Sequence, residues 1–463
     1  MTLPLTHNQG RMGANLKDTA LEFFSKGGSI QNAKYYTDDY SSVNEWFSVF
    51  REDQELAFKL LFWSRDPRGG AGNRGLFRKI ISSGAVKHPE FTRWMDANLD
   101  RIPEYGRFDD VRSLYGTPLE QSALDFLAEN VGHALCAKWM DRKDVRLRDV
   151  LNLTSKEYRK LLVKNSNTVE ALMCSKSWND IDFGAVPSIA SVRYINSFMR
   201  NDKDRYLMHI EKNGIPAATA FPHEARRLLG AKVDDSIIEA FWTSLPNYIK
   251  SDERILPMID VSGSMTCEAS GSISCMDVAV SLGMYCSDQL EGEMHRRYLT
   301  FDSVPRLKSW HDKTVAEALR DIDHDDWGMS TNIALGLDSI LEHAQMFNVA
   351  KDQMPTALMI LSDMQFDECT SVRHSELTVV EDSLRKWVDA GFDKPAVIYW
   401  NINGYAGQPV TDLNNLALIS GFSPAIMQHV LENLEAAKAD PEKALDPWEV
   451  MQSAIAKYQI STP

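Results

Sequence analysis

The chain has 463 residues, 44% hydrophobic and 25% charged, with a formal net charge of −15. That length exceeds what one hydrophobic core organises, and the composition is that of a globular protein, so two domains are expected and disordered or fibrous classes are excluded. No apolar run reaches the ~20 residues that span a bilayer, and Met1–Gly13 has no apolar stretch of secretory type, so a cytoplasmic protein with no membrane role is expected.

The six cysteines, Cys136, Cys174, Cys267, Cys275, Cys286 and Cys369, form no Cys-x-x-Cys motif or regular framework. They read as incidental thiols of a reducing compartment, with a Cys267–Cys275 pairing left open. Residues 1–250 hold 35 basic and 32 acidic side chains, net +3, whereas 251–463 hold 15 and 33, net −18. The acidic half repels nucleic acid, and the other half is permissive.

In chain order, Trp46, Phe47, Val49, Phe50, Leu56, Phe58, Leu60 and Leu61 recur at three- and four-residue steps and predict one helix over Glu45–Trp63. A loop rich in Arg and Gly follows at Ser64–Gly75. Helices are expected over Leu76–Ser82, His88–Leu99 and Pro118–Asp141. Thr154 and Glu157 have the spacing of a capping box opening Ser155–Val163. Shorter helices are expected at Ile189–Phe198, Glu224–Leu229 and Asp234–Trp242. This all-α array is read as paired antiparallel helices of HEAT-like, solenoid type, although no fixed-period repeat is visible.

Near Pro246–Arg254 the pattern changes. Ile255–Ile259 is a short apolar run ending at Asp260, and Thr356–Leu361 is a second, followed by Ser362 and Asp363. Arg297–Val304 and Pro395–Trp400 are further strands. Helices are expected at Cys275–Leu290, Val315–Ile322, Asn332–His343, Ser375–Ala390, Ser423–Ala437 and Pro447–Tyr458. Apolar strands alternating with amphipathic helices predict a doubly wound, Rossmann-like α/β domain with a mostly parallel sheet. The expected division is a helical domain over 1–250 and an α/β domain over 251–463. Ligands of such sheets sit at the carboxyl ends of the strands, where Asp260 and Asp363 fall.

Asp260-Val261-Ser262-Gly263-Ser264 is an Asp-x-Ser-x-Ser loop, with Gly263 permitting the turn. A hard divalent cation takes oxygen ligands, about six for Mg²⁺, and alternate residues of a tight loop can aim a carboxylate and two hydroxyls at one point. Thr331 precedes a helix, and Asp363 supplies a second carboxylate. In order and spacing, Asp260, Ser262, Ser264, Thr331 and Asp363 resemble the metal-ion-dependent adhesion site of von Willebrand factor A domains. That resemblance implies Mg²⁺ or Mn²⁺ held by the three hydroxyls, the two carboxylates acting through water or orienting the hydroxyls. It also implies an open position for a partner's carboxylate. Ordinary turn chemistry is the alternative for each piece. His324 with Asp321, Asp323, Asp325 and Asp326 is either an additional ligand source or a solvated acidic loop. No general base stands beside the metal residues, so an enzyme is not expected, although Mg²⁺ can be catalytic.

The densest basic stretch is Ser64–Lys79, carrying Arg65, Arg68, Arg74, Arg78 and Lys79 against one acid, Asp66. Guanidinium forks fit phosphates, and glycines let a backbone come close, so the loop is a candidate RNA contact; it lacks the Gly-Lys-Ser/Thr ending of a Walker A loop. The alternative is a structural turn with its arginines paired to Asp109, Asp110 and similar acids. Lys138–Arg148 is a second basic stretch or a solvated helix face. Trp46, Trp63, Trp94 and Trp139 are base-stacking candidates or core residues.

An Arg-Asp-x-Arg-Gly-Gly-x-Gly-x-Arg-x-x-Phe stretch in a helical region, followed by an A-type domain, resembles Ro-type (TROVE-module) RNA-binding proteins. It is closer to their uncharacterised relatives in bacteria, phages and eukaryotes. Ser362–Asp367, Pro395–Asn401 and Ser420–Ser423 carry the same likeness. The resemblance implies an RNA-binding scaffold: a helical domain, in Ro proteins closed into a ring, that holds structured RNA or single-stranded ends, and an A domain that recruits a protein. A metal-dependent adhesion or assembly module without RNA, cellular or viral, is the alternative.

Overall fold

A computed structural model describes residues 16–27, 41–166, 168–249, 254–270, 273–290, 294–301, 305–323, 333–362, 376–402, 416–420, 429–432 and 447–463. Among them no helix is long and apolar enough to cross a membrane. The chain divides into two compact units, Tyr40–Pro216 with Ile455–Pro463, and Met1–Asp39 with Ala217–Ala454. This division lies elsewhere than the 250/251 boundary read from the sequence.

α1 (Leu16–Gly27) goes with the second unit. The described elements of the first unit are all helices and 3₁₀ turns. The helices are α2 (Ser41–Glu52), α3 (Gln54–Arg65), α4 (Arg74–Lys87), α5 (Pro89–Asp96), α6 (Arg101–Tyr105), α7 (Phe108–Val111) and α8 (Glu120–Glu129). They continue as α9 (Ala134–Trp139), α10 (Val145–Val150), α11 (Ser155–Asn165), α12 (Val169–Cys174), α13 (Ser188–Asn201) and α14 (Lys203–Asn213). The helix expected over Glu45–Trp63 is two. Asp53 leaves the helical region at φ −145° and its carboxylate accepts from Leu56 N, so it caps α3. Pro118–Asp141 likewise divides into α8 and α9. The Thr154–Glu157 capping box is present at the start of α11.

Aromatic rings fill the start of this unit. Trp46 stacks on Phe50 at 5.3 Å and meets Phe91 edge-on at 5.6 Å, and its Nε1 donates to Ala57 O at 2.7 Å. Satisfying the indole N–H lets so large a ring be buried without an orphaned donor. Trp46 and Trp63 are wholly buried and so are core residues; Trp94 and Trp139 are half-buried.

In the second unit the sheet has the order β5-β4-β1-β6-β7-β8. The strands are β1 (Ile255–Asp260), β4 (Arg297–Phe301), β5 (Arg306–Ser309), β6 (Ala357–Ser362), β7 (Ala396–Asn401) and β8 (Leu416–Ser420), and β2 (Glu268–Ser270) with β3 (Ile273–Ser274) forms a separate hairpin. All neighbours in the sheet are parallel except β4 and β5. β1 and β6 are buried at every position, as continuous apolar runs in a parallel sheet covered on both faces should be.

The remaining helices are α15 (Glu224–Gly230), α16 (Asp235–Thr243), α17 (Cys275–Asp288), α18 (Val315–Asp323), α19 (Ile333–Met346), α20 (Glu376–Asp389) and α21 (Pro447–Ile455). One sheet face, with Leu256, Met258, Leu358, Ile360, Val397 and Tyr399, shares a core with α19 and α20. α17 lies against the other face. A Cβ on its Gly283 would come within 2.6 Å of the Ile259 side chain, so glycine sets that close approach. α17 is itself covered by the preceding helices. Arg226 of α15 pairs with Asp277 at 2.8 Å, and Trp242 Nε1 of α16 donates to Asp288 Oδ2 at 2.8 Å. α15 and α16, assigned from sequence to the helical domain, therefore pack within the α/β unit.

Candidate metal centre

β1 ends at Asp260 and β6 at Ser362, side by side at the centre of the sheet. From β1 the chain places β4 on one side and β6 on the other, so these two strand ends flank the point where the winding reverses. Ser362 Oγ donates to Asp260 Oδ2 at 2.6 Å, joining the two ends, and both residues are wholly buried. Asp260 Oδ1 accepts from Ser262 N at 2.9 Å. Both carboxylate oxygens are thus engaged, which fixes how the carboxylate faces the loop.

After Asp260 the chain turns through a 3₁₀ segment, Gly263–Thr266, held by Met265 N donating to Ser262 O at 3.1 Å and anchored by the buried Met265 side chain. This turn brings Ser262 Oγ to 3.0 Å from Ser264 Oγ. Two hydroxyls converging beside an oriented carboxylate suit the donor set a hard cation prefers. Asp260, Ser262 and Ser264 are therefore brought together. Thr331 and Asp363 lie outside the described residues, as do the side chains of Asp323, His324, Asp325 and Asp326. Among the described residues no three His, Cys, Asp or Glu side chains gather as a metal site; the expected donor set is mostly hydroxyl and is not of that kind. The sequence carries no local signal for Ser362 as a positioning group beyond its place directly before Asp363 at a strand end.

The Arg-Gly loop lies in the helical unit. Asp66 caps α3, and its carbonyl accepts from Gly70 N and Gly72 N at 3.2 and 3.1 Å. Gly72 has φ +72°, a left-handed conformation that favours glycine, and a Cβ on Gly70 would fall 2.1 Å from Trp63 O. Arg65 is buried, with Nε 2.7 Å from Asp110 Oδ2. Arg78 Nε lies 2.6 Å from Asp110 Oδ1 and its Nη2 2.7 Å from Asp109 Oδ2. Burial opposes the Arg78 charge, but the bonds to Asp109 and Asp110 outweigh it and raise its pKa. Asp110 is wholly buried between the two guanidinium groups and also accepts from Arg107 N at 3.0 Å. Arg65 and Arg78 thus adopt the pairing with Asp109 and Asp110 that the sequence left open. Arg68 donates to the Glu104 carbonyl, with its side chain half exposed. Arg74 and Lys79 are exposed at the start of α4.

One nearby cation carried no signal in the sequence. The Arg107 guanidinium lies 4.2 Å from the centre of the Trp139 ring. Burial lowers its pKa, and Arg74 and Arg65 act in the same direction. Of the second basic stretch, Lys138 pairs with Glu170 at 2.7 Å, Arg146 with Glu120 at 2.9 Å and Arg148 with Asp149 at 2.6 Å, whereas Arg142 and Lys143 are exposed.

Residues 255–458 match the model of a family described as "Domain of unknown function (DUF7788)", and residues 123–240 that of "Domain of unknown function (DUF2828)". Neither match spans half of the chain. A curated relative, "Uncharacterized protein L728" of Acanthamoeba polyphaga mimivirus, is 24% identical over 505 residues, covering 93% of this chain and 84% of its own. Among solved structures, the Deinococcus radiodurans RO (RSR) protein aligns over 96% of this chain and 100% of its own, at 12% identity and a TM-score of 0.40. A likeness of that size carries no argument on fold or function.

Proposed function

We propose that the α/β unit is an A-type domain that binds one divalent cation, Mg²⁺ or Mn²⁺, and uses it to dock a carboxylate of a protein partner. The observation that carries this reading is the strand-end constellation: Ser362 and the Asp260 carboxylate joined across β1 and β6, with the Ser262 and Ser264 hydroxyls 3.0 Å apart. The sheet order, with one antiparallel edge strand, supports it. Ser262 and Ser264 would hold the ion directly, Asp260 would orient them, and Thr331 and Asp363 complete the set by sequence. The bound ion supplies a Lewis-acidic position for an incoming carboxylate oxygen. No catalytic role is proposed. Ser262→Ala with Ser264→Ala removes two oxygen ligands, so calorimetric Mg²⁺ binding is expected to disappear; an unchanged affinity overturns the site.

A second reading concerns the helical unit, which we propose holds RNA by its phosphates, making the whole chain an RNA-binding scaffold that recruits a protein through its metal. It is favoured by the exposed cations Arg68, Arg74 and Lys79 around the glycine-rich turn. Arg65 and Arg78, engaged with Asp110, would position that turn rather than touch RNA. Arg74→Glu with Lys79→Glu leaves the buried ion pairs intact. It is expected to weaken binding of a single-stranded RNA and to shorten the log–log salt slope by about 1.4, roughly 0.7 for each phosphate no longer neutralised. Unmoved affinity means the loop does not touch RNA.

A further inference from the structure

The turn that carries Ser264 leads straight into Cys267, and Cys275 opens α17 on the far side of the β2–β3 hairpin. The hairpin register, Glu268 opposite Ser274, faces these two cysteines towards each other. Cys275 N donates to Cys267 O at 3.0 Å, and the two Sγ atoms lie 3.2 Å apart, both residues being thiols. A disulfide has its sulfurs at about 2.05 Å, so the pair needs about an ångström of approach, within the reach of side-chain rotation on a backbone already paired. The two differ in access: Cys275 is wholly buried, whereas Cys267 is partly exposed. A small oxidant can reach Cys267 first, and Cys275 stands behind it to resolve the product. Of the other described cysteines, Cys136 and Cys286 are wholly buried and Cys174 is exposed.

We propose that Cys267 and Cys275 are a modification site, a reversible disulfide formed by exchange with a low-molecular-weight disulfide, which pins the Asp260–Ser264 loop to the start of α17. The Cys267 sulfur, as thiolate, attacks one sulfur of RS–SR, forming a Cys267–SR mixed disulfide and releasing RS⁻. The Cys275 sulfur, giving up its proton, then attacks the Cys267 sulfur and displaces the second RS⁻. The two protein S–H protons end on two RSH molecules; the small disulfide gains two electrons and the cysteine pair loses them. An external dithiol reverses the sequence. The far anchor is firm. Ser274 and Asp277 form a capping box at the start of α17, and Asp277 is held by Arg226 at 2.8 Å. The bond forms or fails independently of the metal reading.

The test uses the full-length chain equilibrated in glutathione buffers from reducing to oxidising, quenched in acid, alkylated and mapped by peptide mass. The expected result is a Cys267–Cys275 cross-link at ratios where Cys174 is still a thiol, removed again on adding a dithiol. In Cys275→Ser, Cys267 should stop at the glutathione mixed disulfide. Amide hydrogen exchange between Ser264 and Cys275 should slow on oxidation of the wild type. Cys267 recovered as a thiol, as a mixed disulfide or bonded to Cys369 once Cys174 is glutathionylated overturns the proposal. A cross-link with no change in exchange overturns the pinning. The wild-type arm decides the question even if the serine variant fails to fold.

Discussion

Asp110 has no exposed surface and faces Arg65 and Arg78 at 2.7 and 2.6 Å. Removing one partner of a buried ion pair leaves the other charged and desolvated, at a cost of about 3–5 kcal/mol. Asp110→Ala is therefore expected to lower the stability of the helical unit by about that amount, read from the urea midpoint of the intact chain. A loss below about 1 kcal/mol, the worth of an exposed pair, would contradict the role given to Asp110. At this scale the sequence left two readings of the loop open, free cations or arginines paired to Asp109 and Asp110, for a definite reason. Ser64–Lys79 looks like a surplus of positive charge because its acids arrive 31 to 45 residues later. Local composition cannot decide between the two readings when the partner is delivered by another helix. Asp260, Ser262 and Ser264 were legible because their geometry is set within five consecutive residues. Ser362 was not, since its bond to Asp260 crosses between strands 102 residues apart.

Elements were read from periodicity, and periodicity has a blind spot at short breaks. Trp46 to Leu61 keeps one spacing because α2 and α3 both bury an apolar face, yet Asp53 stops one helix and caps the next. An Asp before a periodic run was the available signal. β1, β6 and β7 were legible as uninterrupted apolar runs. β5 was not, because as an antiparallel edge strand it is half solvated and alternates in burial. The helix expected over Pro447–Tyr458 ends at Ile455 as α21, and the residues beyond it dock within the helical unit. Tyr458 is almost fully buried and donates to Asp66 Oδ2 at 3.1 Å, Lys457 Nζ lies 2.9 Å from the same oxygen, and Asn98 bonds Ser461 through both its side-chain atoms at 2.8 Å. Tyr458→Ala, which removes a buried aromatic and one bond to Asp66, is expected to cost about 3–5 kcal/mol, by analogy with other buried aromatic truncations. It should also raise proteolysis of the Ser64–Asn73 loop. An unchanged melting temperature would mean the terminal segment is a passenger.

Across the whole molecule, charge follows the compact units much as it follows the halves of the sequence. The helical unit holds 28 basic and 24 acidic side chains, and the α/β unit 22 and 41. The alternation of strands and helices made the α/β class legible. The placement of α15 and α16 was not, because helices that cover another helix look, in sequence, like the helices before them. Under the proposed function the two units have separate chemistries: phosphate contact by charge in one, carboxylate docking through a divalent cation in the other. The most direct test of that separation is titration of the intact protein with a small structured RNA bearing a single-stranded end, at several salt concentrations, with and without chelator. With Arg68, Arg74 and Lys79 as the contacts, the predicted log–log slope is about −2, unchanged by chelator. Absence of binding at low salt, or binding abolished by chelator, would contradict it.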